Sequence, residues 1–394
     1  MATPTHYRDT QPGRILRTNL KLMTSVEPVA VAALLTRARH EVDEGLLPAC
    51  QLALALHGEV VVNETFGDAA ADTRFTMFSA TKPLVASVVW QLMGEGLINP
   101  ATRIAEVLPD FGTHGKDEIT LDHLLQHTSG LPRAPLGPPL WESHEGRRSA
   151  FSKWRLNWPV GSQFEYHPTS AHWVLAEVIY ALTGDDHIAA VRQRLIEPLG
   201  LGAFVLGPPL EAQTNIATLV ATGDPASPDE IEAVFGMREI DVGEVTEEAT
   251  LSLNLPEVRS VGIPGGGGVS TAADVAMFYQ SLLTNAQGLW DPVVLADATS
   301  TVRNTFPDPM LGYSVNRTRG LVVAGDGDDV PLRGMGRTVS SRAFGHIGVG
   351  GQLAWADPAT GLSFCYLTNG LDRNVIRQSK RGSALGSLAA VCAS

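Results

Sequence analysis

The sequence predicts an α+β fold in which an antiparallel sheet flanked by helices is built from both ends of the chain, with a mainly helical domain inserted between them. Three observations carry this. β-Prone runs gather near the two ends, at 50–66 and 321–368, and the later ones are spaced as an antiparallel meander. The middle, from about 99 to 256, is rich in Pro, Trp and His and holds helical patterns separated by loops. Strands at both ends around a helical middle are what an interrupted layered domain produces. The expected boundaries are 20–98 with 257–394 for the discontinuous sandwich domain and 99–256 for the inserted domain.

In chain order, residues 27–46 carry apolar residues at mixed three and four spacing and end at Gly45, which predicts an amphipathic helix. Segments 50–56 and 59–66 flank His57-Gly58, a hairpin signal. A short strand at 74–78 runs into a long apolar helix opening at Ser79, whose only proline, Pro83, lies near its start, where it is tolerated. In the middle, 121–126 and 171–182 read as helices and 132–139 as a proline-rich loop. Gly265 to Gly268 read as a tight backbone passage near a cleft, followed by a helix at 272–283. Strands are expected at 321–324, 342–346, 352–357 and 362–368, and the apolar tail 383–393 reads as a closing helix.

Composition excludes several functions. The 394 residues carry 29 Lys+Arg against 42 Asp+Glu, a formal charge of −13, and no basic run, which argues against a nucleic-acid binder. At 44% hydrophobic and 18% charged residues, the chain can bury a large core. No apolar window is long enough for a membrane span. The start shows no secretory pattern, and Cys50, Cys365 and Cys392 have no ligand spacing, so a reducing cytoplasm is expected. Asp326-Gly-Asp-Asp329 lacks the bidentate Glu of a calcium loop and reads as a polar hairpin turn; no metal and no cofactor are expected.

The strongest chemical signal is Ser79-x-x-Lys82. At i and i+3 on a helix the two side chains share a face, so the ammonium stands beside the hydroxyl. A serine nucleophile needs a base, and a buried lysine can take its proton or polarise a partner that does. Of the five lysines only Lys82 has a serine three residues before it. Tyr166, after the turn Trp158-Pro-Val-Gly, reads alone as a buried structural tyrosine; next to Lys82 it becomes a general base. Phe344-Gly-His346-Ile-Gly348-Val-Gly-Gly allows close backbone approach and exposes main-chain N–H groups, as an oxyanion hole requires.

Together with Leu124-Leu-Gln-His127-Thr-Ser-Gly-Leu-Pro132 and Gly265-Gly-Gly-Gly-Val-Ser-Thr-Ala-Ala-Asp274, these motifs occur in the order of the serine β-lactamase-like superfamily. The chain resembles most its class C β-lactamase and family VIII carboxylesterase branch, over about residues 27–390. The resemblance implies a β-lactamase/transpeptidase-like fold, Ser79 as nucleophile, Lys82 as its partner, and Tyr166 as the motif tyrosine. It also implies that His346-Ile-Gly348 stands for the Lys-Thr-Gly element, with oxyanion donors at Ser79 and Val349. Two departures have chemical meaning. Pro168 stands where the motif has Asn, which puts a relay through that amide in doubt, and no Lys-Thr-Gly or Lys-Ser-Gly triplet exists. The lysine that attracts a substrate carboxylate is thus replaced by His346, a weaker anchor near neutral pH.

The function expected is a serine carboxylesterase acting on small uncharged esters through an acyl-enzyme on Ser79, with weak β-lactamase activity at most. His346 would orient Tyr166 or the leaving group. A D-amino-acid peptidase or amidase, an acyltransferase and a catalytically silent binding protein are the alternatives. The expected partner is a small-molecule ester, and homo-oligomers are compatible with the sequence.

Overall fold

The structure, a computed structural model, describes residues 26–393. The first six residues of the expected sandwich domain, and the N-terminal stretch read for a leader, lie outside the described residues.

Helix α1 (Pro28–Asp43) leads to strands β1 (Ala49–Leu56) and β2 (Glu59–Gly67). They turn through His57 and Gly58 at φ 54° and 81°, the left-handed pair that a tight hairpin needs. Every residue of β1 is buried because both faces of the sheet are covered. Ala49, Ala53 and Ala55 face one core, shared with helices α2 (Lys82–Gly94) and α6 (Ala272–Thr284). Cys50, Leu52, Leu54 and Leu56 face the other, shared with α1 and the closing helix α7 (Val375–Ala390). The period-2 alternation of a strand sorts the side chains between the two layers. Alanines on one side let a helix approach closely. On that side Gln51 accepts a hydrogen bond from the Ala272 N–H at 2.6 Å, fixing the start of α6 on the sheet.

Between these parts run α3 (Leu121–Leu125), α4 (His144–Lys153) and α5 (Ser170–Thr183), with two short strands, β4 (Val205–Leu206) and β5 (Val220–Thr222). Strands β3 (Phe75–Thr76) and β6 (Gly268–Ser270) pair antiparallel, and β4 joins β6. The C-terminal strands are β7 (Val322–Val323), β8 (Phe344–Gly345), β9 (Leu353–Asp357), β10 (Leu362–Thr368) and β11 (Gly370–Asp372). The main sheet is antiparallel and ordered β2-β1-β10-β9-β8-β7, so it joins both ends of the chain. In it Cys50 pairs with Thr368 and Ala53 with Cys365. The three cysteines are free and buried; Cys50 and Cys392 lie in the core under α1 and α7, Cys365 in that under α2 and α6.

Two expected boundaries moved. The strand expected over 74–78 ends at Thr76, because Phe78 turns to φ 48° and a short 3₁₀ turn, Phe78–Thr81, precedes α2. The closing helix begins at Val375, eight residues before the apolar tail, with Asn374 capping the Arg377 N–H. Its first half is polar in sequence, yet Arg381 is buried, hydrogen-bonded to Glu41 of α1 and Asp372 of β11.

Candidate active site

Ser79 stands on the 3₁₀ turn at the head of α2, half-buried, directly after Phe78. A non-glycine residue at φ 48° is strained, and the surroundings must hold it there. Here the Phe78 ring is locked among Leu219, Leu253 and Leu371. The kink turns the next side chain, Ser79, out of the core.

Lys82 is fully buried, and its Nζ donates in three directions: to Ser79 Oγ at 3.0 Å, Pro168 O at 2.6 Å and Gly265 O at 2.6 Å. Two carbonyls therefore fix the amine, and its third tetrahedral position points at the serine hydroxyl. When the amine is neutral, the same position offers a lone pair to the Ser79 O–H. Burial pulls the Lys82 pKa below its ordinary 10.5, an effect opposed by the electrostatic attraction of Tyr166. Pro168 thus serves through its main-chain carbonyl, which needs no amide side chain. Gly265 has to be glycine: a Cβ there would lie 2.9 Å from Pro168 O and 3.2 Å from Lys82 Nζ.

Tyr166 lies beside this pair, with Lys82 Nζ 5.1 Å from its ring centroid. Its hydroxyl is buried and, among the described residues, makes no hydrogen bond to Ser79, so it is Lys82 that touches the serine. The next residue anchors the tyrosine. The Nδ1–H of His167 donates to Glu165 O at 2.6 Å, while its Nε2 accepts from the Leu131 N–H at 3.1 Å and Ser129 Oγ at 2.9 Å. The His167 N–H donates to His127 Nδ1 at 3.1 Å. Nε2 facing an N–H donor leaves no room for a second proton, and burial holds the His167 pKa down at about 3.

The turn after β8 completes the cleft. Gly348 pairs with Gln352, whose side-chain amide donates to Thr76 O at 3.0 Å and Thr368 O at 2.9 Å, tying the turn to β3 and β10. A Cβ at Gly348 would lie 2.4 Å from Met77 O, so the two backbones touch where only glycine fits. Among the described residues, neither the Ser79 nor the Val349 main-chain N–H donates to a protein acceptor. His346 is buried with Nδ1 on Ile347 O at 2.7 Å and Nε2 unpartnered. Its ring centroid is 6.1 Å from that of Tyr166; the two rings meet as a tilted pair and no hydrogen bond joins their side chains.

Sequence reasoning missed Arg317. It is buried, with Cζ 5.1 Å from the Tyr166 centroid and 5.3 Å from that of Phe164. No motif marks it; it enters from the segment before β7, held by main-chain hydrogen bonds to Asn304. His127 and His172, also in the cleft wall, are held neutral mainly by burial, with Arg317 and Lys82 adding to the effect. A half-open cavity of about 510 Å³ lined by Trp141, His144, Arg147 and His187 contains none of the Ser79 group. Among the described residues no group of three metal-ligating side chains stands together, and Asp326–Asp329 lie in the connection between β7 and β8. No helix of the described residues is long and apolar enough to cross a membrane.

The sheet, the helix-borne serine and lysine, and the facing glycine turn define a β-lactamase/transpeptidase-like protein. The family model described as Beta-lactamase matches residues 35–387, so the chain belongs to that family. It is 28% identical over 350 residues to Esterase/beta-lactamase LipL of Mycobacterium tuberculosis (strain ATCC 25618 / H37Rv), covering 81% of this chain and 76% of the relative. Among solved structures, a penicillin-binding protein homolog from Caulobacter crescentus aligns with TM-score 0.77 at 26% identity, covering 93% of this chain and 98% of that one. A family VIII carboxylesterase aligns with TM-score 0.75 at 21% identity and the same coverage, a likeness of fold.

Proposed function

We propose that this chain is a serine hydrolase of the carboxylesterase type, cleaving small esters through an acyl-enzyme on Ser79. The observation that carries the reading is the 3.0 Å contact between Ser79 Oγ and a buried Lys82 whose other two donors are fixed on carbonyls. In this reading Ser79 Oγ attacks the ester carbonyl while its proton passes to Lys82 Nζ. The oxyanion is received by the N–H groups of Ser79 and Val349, at the close approach that Gly348 permits. Tyr166 donates its hydroxyl proton to the departing alkoxide and is reprotonated from Lys82 Nζ. Water then attacks the acyl-enzyme along the reverse proton path and frees Ser79. Esters are favoured over β-lactams because His346 replaces the lysine of the family's third motif; the relative LipL, named both an esterase and a β-lactamase, supports ester cleavage without ranking the two.

Treatment with a fluorophosphonate, followed by peptide mapping, tests the nucleophile. The expected adduct is on Ser79; labelling elsewhere, or none, refutes the reading. Short p-nitrophenyl esters are expected to turn over far faster than nitrocefin.

A further inference from the structure

The half-open cavity of about 510 Å³ that contains none of the Ser79 group is large enough for a small organic molecule. Trp141, Ile188, Leu210 and Val261 give its wall an apolar part, while the exposed Glu142, Asp186 and Glu257 bring three carboxylates to it. Among the described residues none of the three forms an ion pair, and only Asp186 uses its carboxylate in a hydrogen bond, accepting from the Ala189 N–H at 2.8 Å. The neighbouring cations are committed elsewhere. Arg147, buried in the wall, directs Nε to Glu177 Oε1 at 2.6 Å, Nη1 to Trp141 O at 2.7 Å and Nη2 to His144 Nδ1 at 2.8 Å. Arg259 acts on Glu257 electrostatically, but its Nε and Nη1 donate to Gln213 Oε1 at 2.7 Å and Leu253 O at 3.3 Å.

A second, independent observation lies in the same wall. His187 lines the cavity, is 3% exposed and has Nε2 2.7 Å from Gly262 O. A carbonyl only accepts, so Nε2 carries the proton; burial keeps the ring neutral, and Nδ1 keeps its lone pair. That lone pair has no partner. Trp173, edge-to-face with the ring at 5.7 Å, does not supply one, since its own Nε1 makes no hydrogen bond either. An unsatisfied buried acceptor is uncommon in a folded protein and calls for a donor.

We propose that this cavity is an accessory binding site for a small organic cation, an ammonium group on an apolar body such as an arylalkylamine. An ammonium brings the two things the wall lacks, a positive charge for the carboxylates and N–H donors for them and for His187 Nδ1. The apolar body covers Trp141, Ile188 and Val261, and an indole is the best of the aromatic side chains for a cation. A neutral alcohol brings only a donor, and a carboxylate brings neither. The inference does not depend on the Ser79 hydrolase reading.

The full chain is titrated by calorimetry near neutral pH with phenethylammonium, phenethyl alcohol and phenylpropanoate. The amine is expected to bind with Kd below about 1 mM, the alcohol at least about tenfold more weakly and the carboxylate not measurably. The Glu142→Gln/Asp186→Asn/Glu257→Gln variant, in which Asn still caps the Ala189 N–H, is expected to lose at least about tenfold in amine affinity. No binding of the amine, equal affinity for the three probes, or equal amine affinity in variant and wild type overturns the proposal. A benzylamine carrying a trifluoromethyl diazirine then locates the site in the unmutated chain. After irradiation the label is expected on the peptides bearing Trp141, Ile188 and Val261; its absence from all three overturns the proposal. Amine binding that disappears once Ser79 is blocked by fluorophosphonate would place the cation in the catalytic cleft and overturns it as well. Neither the titration nor the photolabelling needs turnover, so failure of this site is distinguishable from failure of the hydrolase reading.

Discussion

Each residue of the site is held by a different force, and substitutions should separate them. Ser79→Ala removes the attacking atom and is expected to abolish ester turnover. Lys82→Ala and Tyr166→Phe each remove a proton-transfer partner and are expected to lower kcat by roughly 10²-fold or more, measured on a p-nitrophenyl ester. Full activity in Tyr166→Phe would reject its assigned step. Gly348→Ala tests the oxyanion site by sterics alone. Its Cβ would meet Met77 O at 2.4 Å, so the turn bearing the Val349 N–H has to move. Loss of one oxyanion donor costs about 10²–10³ in kcat, and a kcat within threefold of wild type would reject the donor.

Much of this was legible in the sequence, and what was not has identifiable reasons. Ser79, Lys82, Tyr166 and the glycine turn at Gly348 were found because chemistry fixes the residue types and the chain fixes their order. Arg317 was not, because its place in the site arises from a long-range contact with Tyr166 and no local spacing marks it. Pro168 looked like a lost amide, because a sequence shows side chains while the acceptor that matters is a main-chain carbonyl.

At the level of elements, strand and helix types followed from period-2 and 3.6 patterns, while boundaries moved where tertiary contacts override them. Phe78 adopts a left-handed backbone inside a β-prone run, which no propensity signals. The first half of α7 is polar in sequence, but Arg381 is buried between Glu41 and Asp372 and joins α7 to α1 and β11. Removing it takes one charge-assisted hydrogen bond from each of two buried carboxylates, which keep Arg37 and Arg377 as partners, at a cost of about 1.5–3 kcal/mol for each bond. Arg381→Ala is therefore expected to lower the urea midpoint strongly with the m-value unchanged. A shift below about 1 kcal/mol would show that solvent reaches the pair and screens it.

For the whole molecule, five buried histidines tie stability to pH. His127, His167, His172, His187 and His346 are all held below 6.5, mainly by burial, His187 at about 4 and His167 at about 3. Below about 6.5 the unfolded chain binds protons that the folded chain refuses, so stability is greatest above that pH and falls as acid is added. Each histidine contributes up to about 1.4 kcal/mol per pH unit, until the pH reaches its own folded value. Tm is expected to decline steadily below neutrality, and His187→Asn to flatten the slope. A Tm that stays constant between about pH 7 and 5 would contradict this account.

The sheet also carries a pair of built-in clocks. Cys50 and Cys365 are wholly buried on neighbouring strands but face opposite layers, one under α1 and α7, the other under α2 and α6. Burial pushes the Cys50 thiol up to about 12 and that of Cys365 well above its ordinary value, so neither reacts until its layer lifts. The order in which a thiol reagent reaches them in the native protein therefore times the opening of one side of the sheet against the other, with no engineered label.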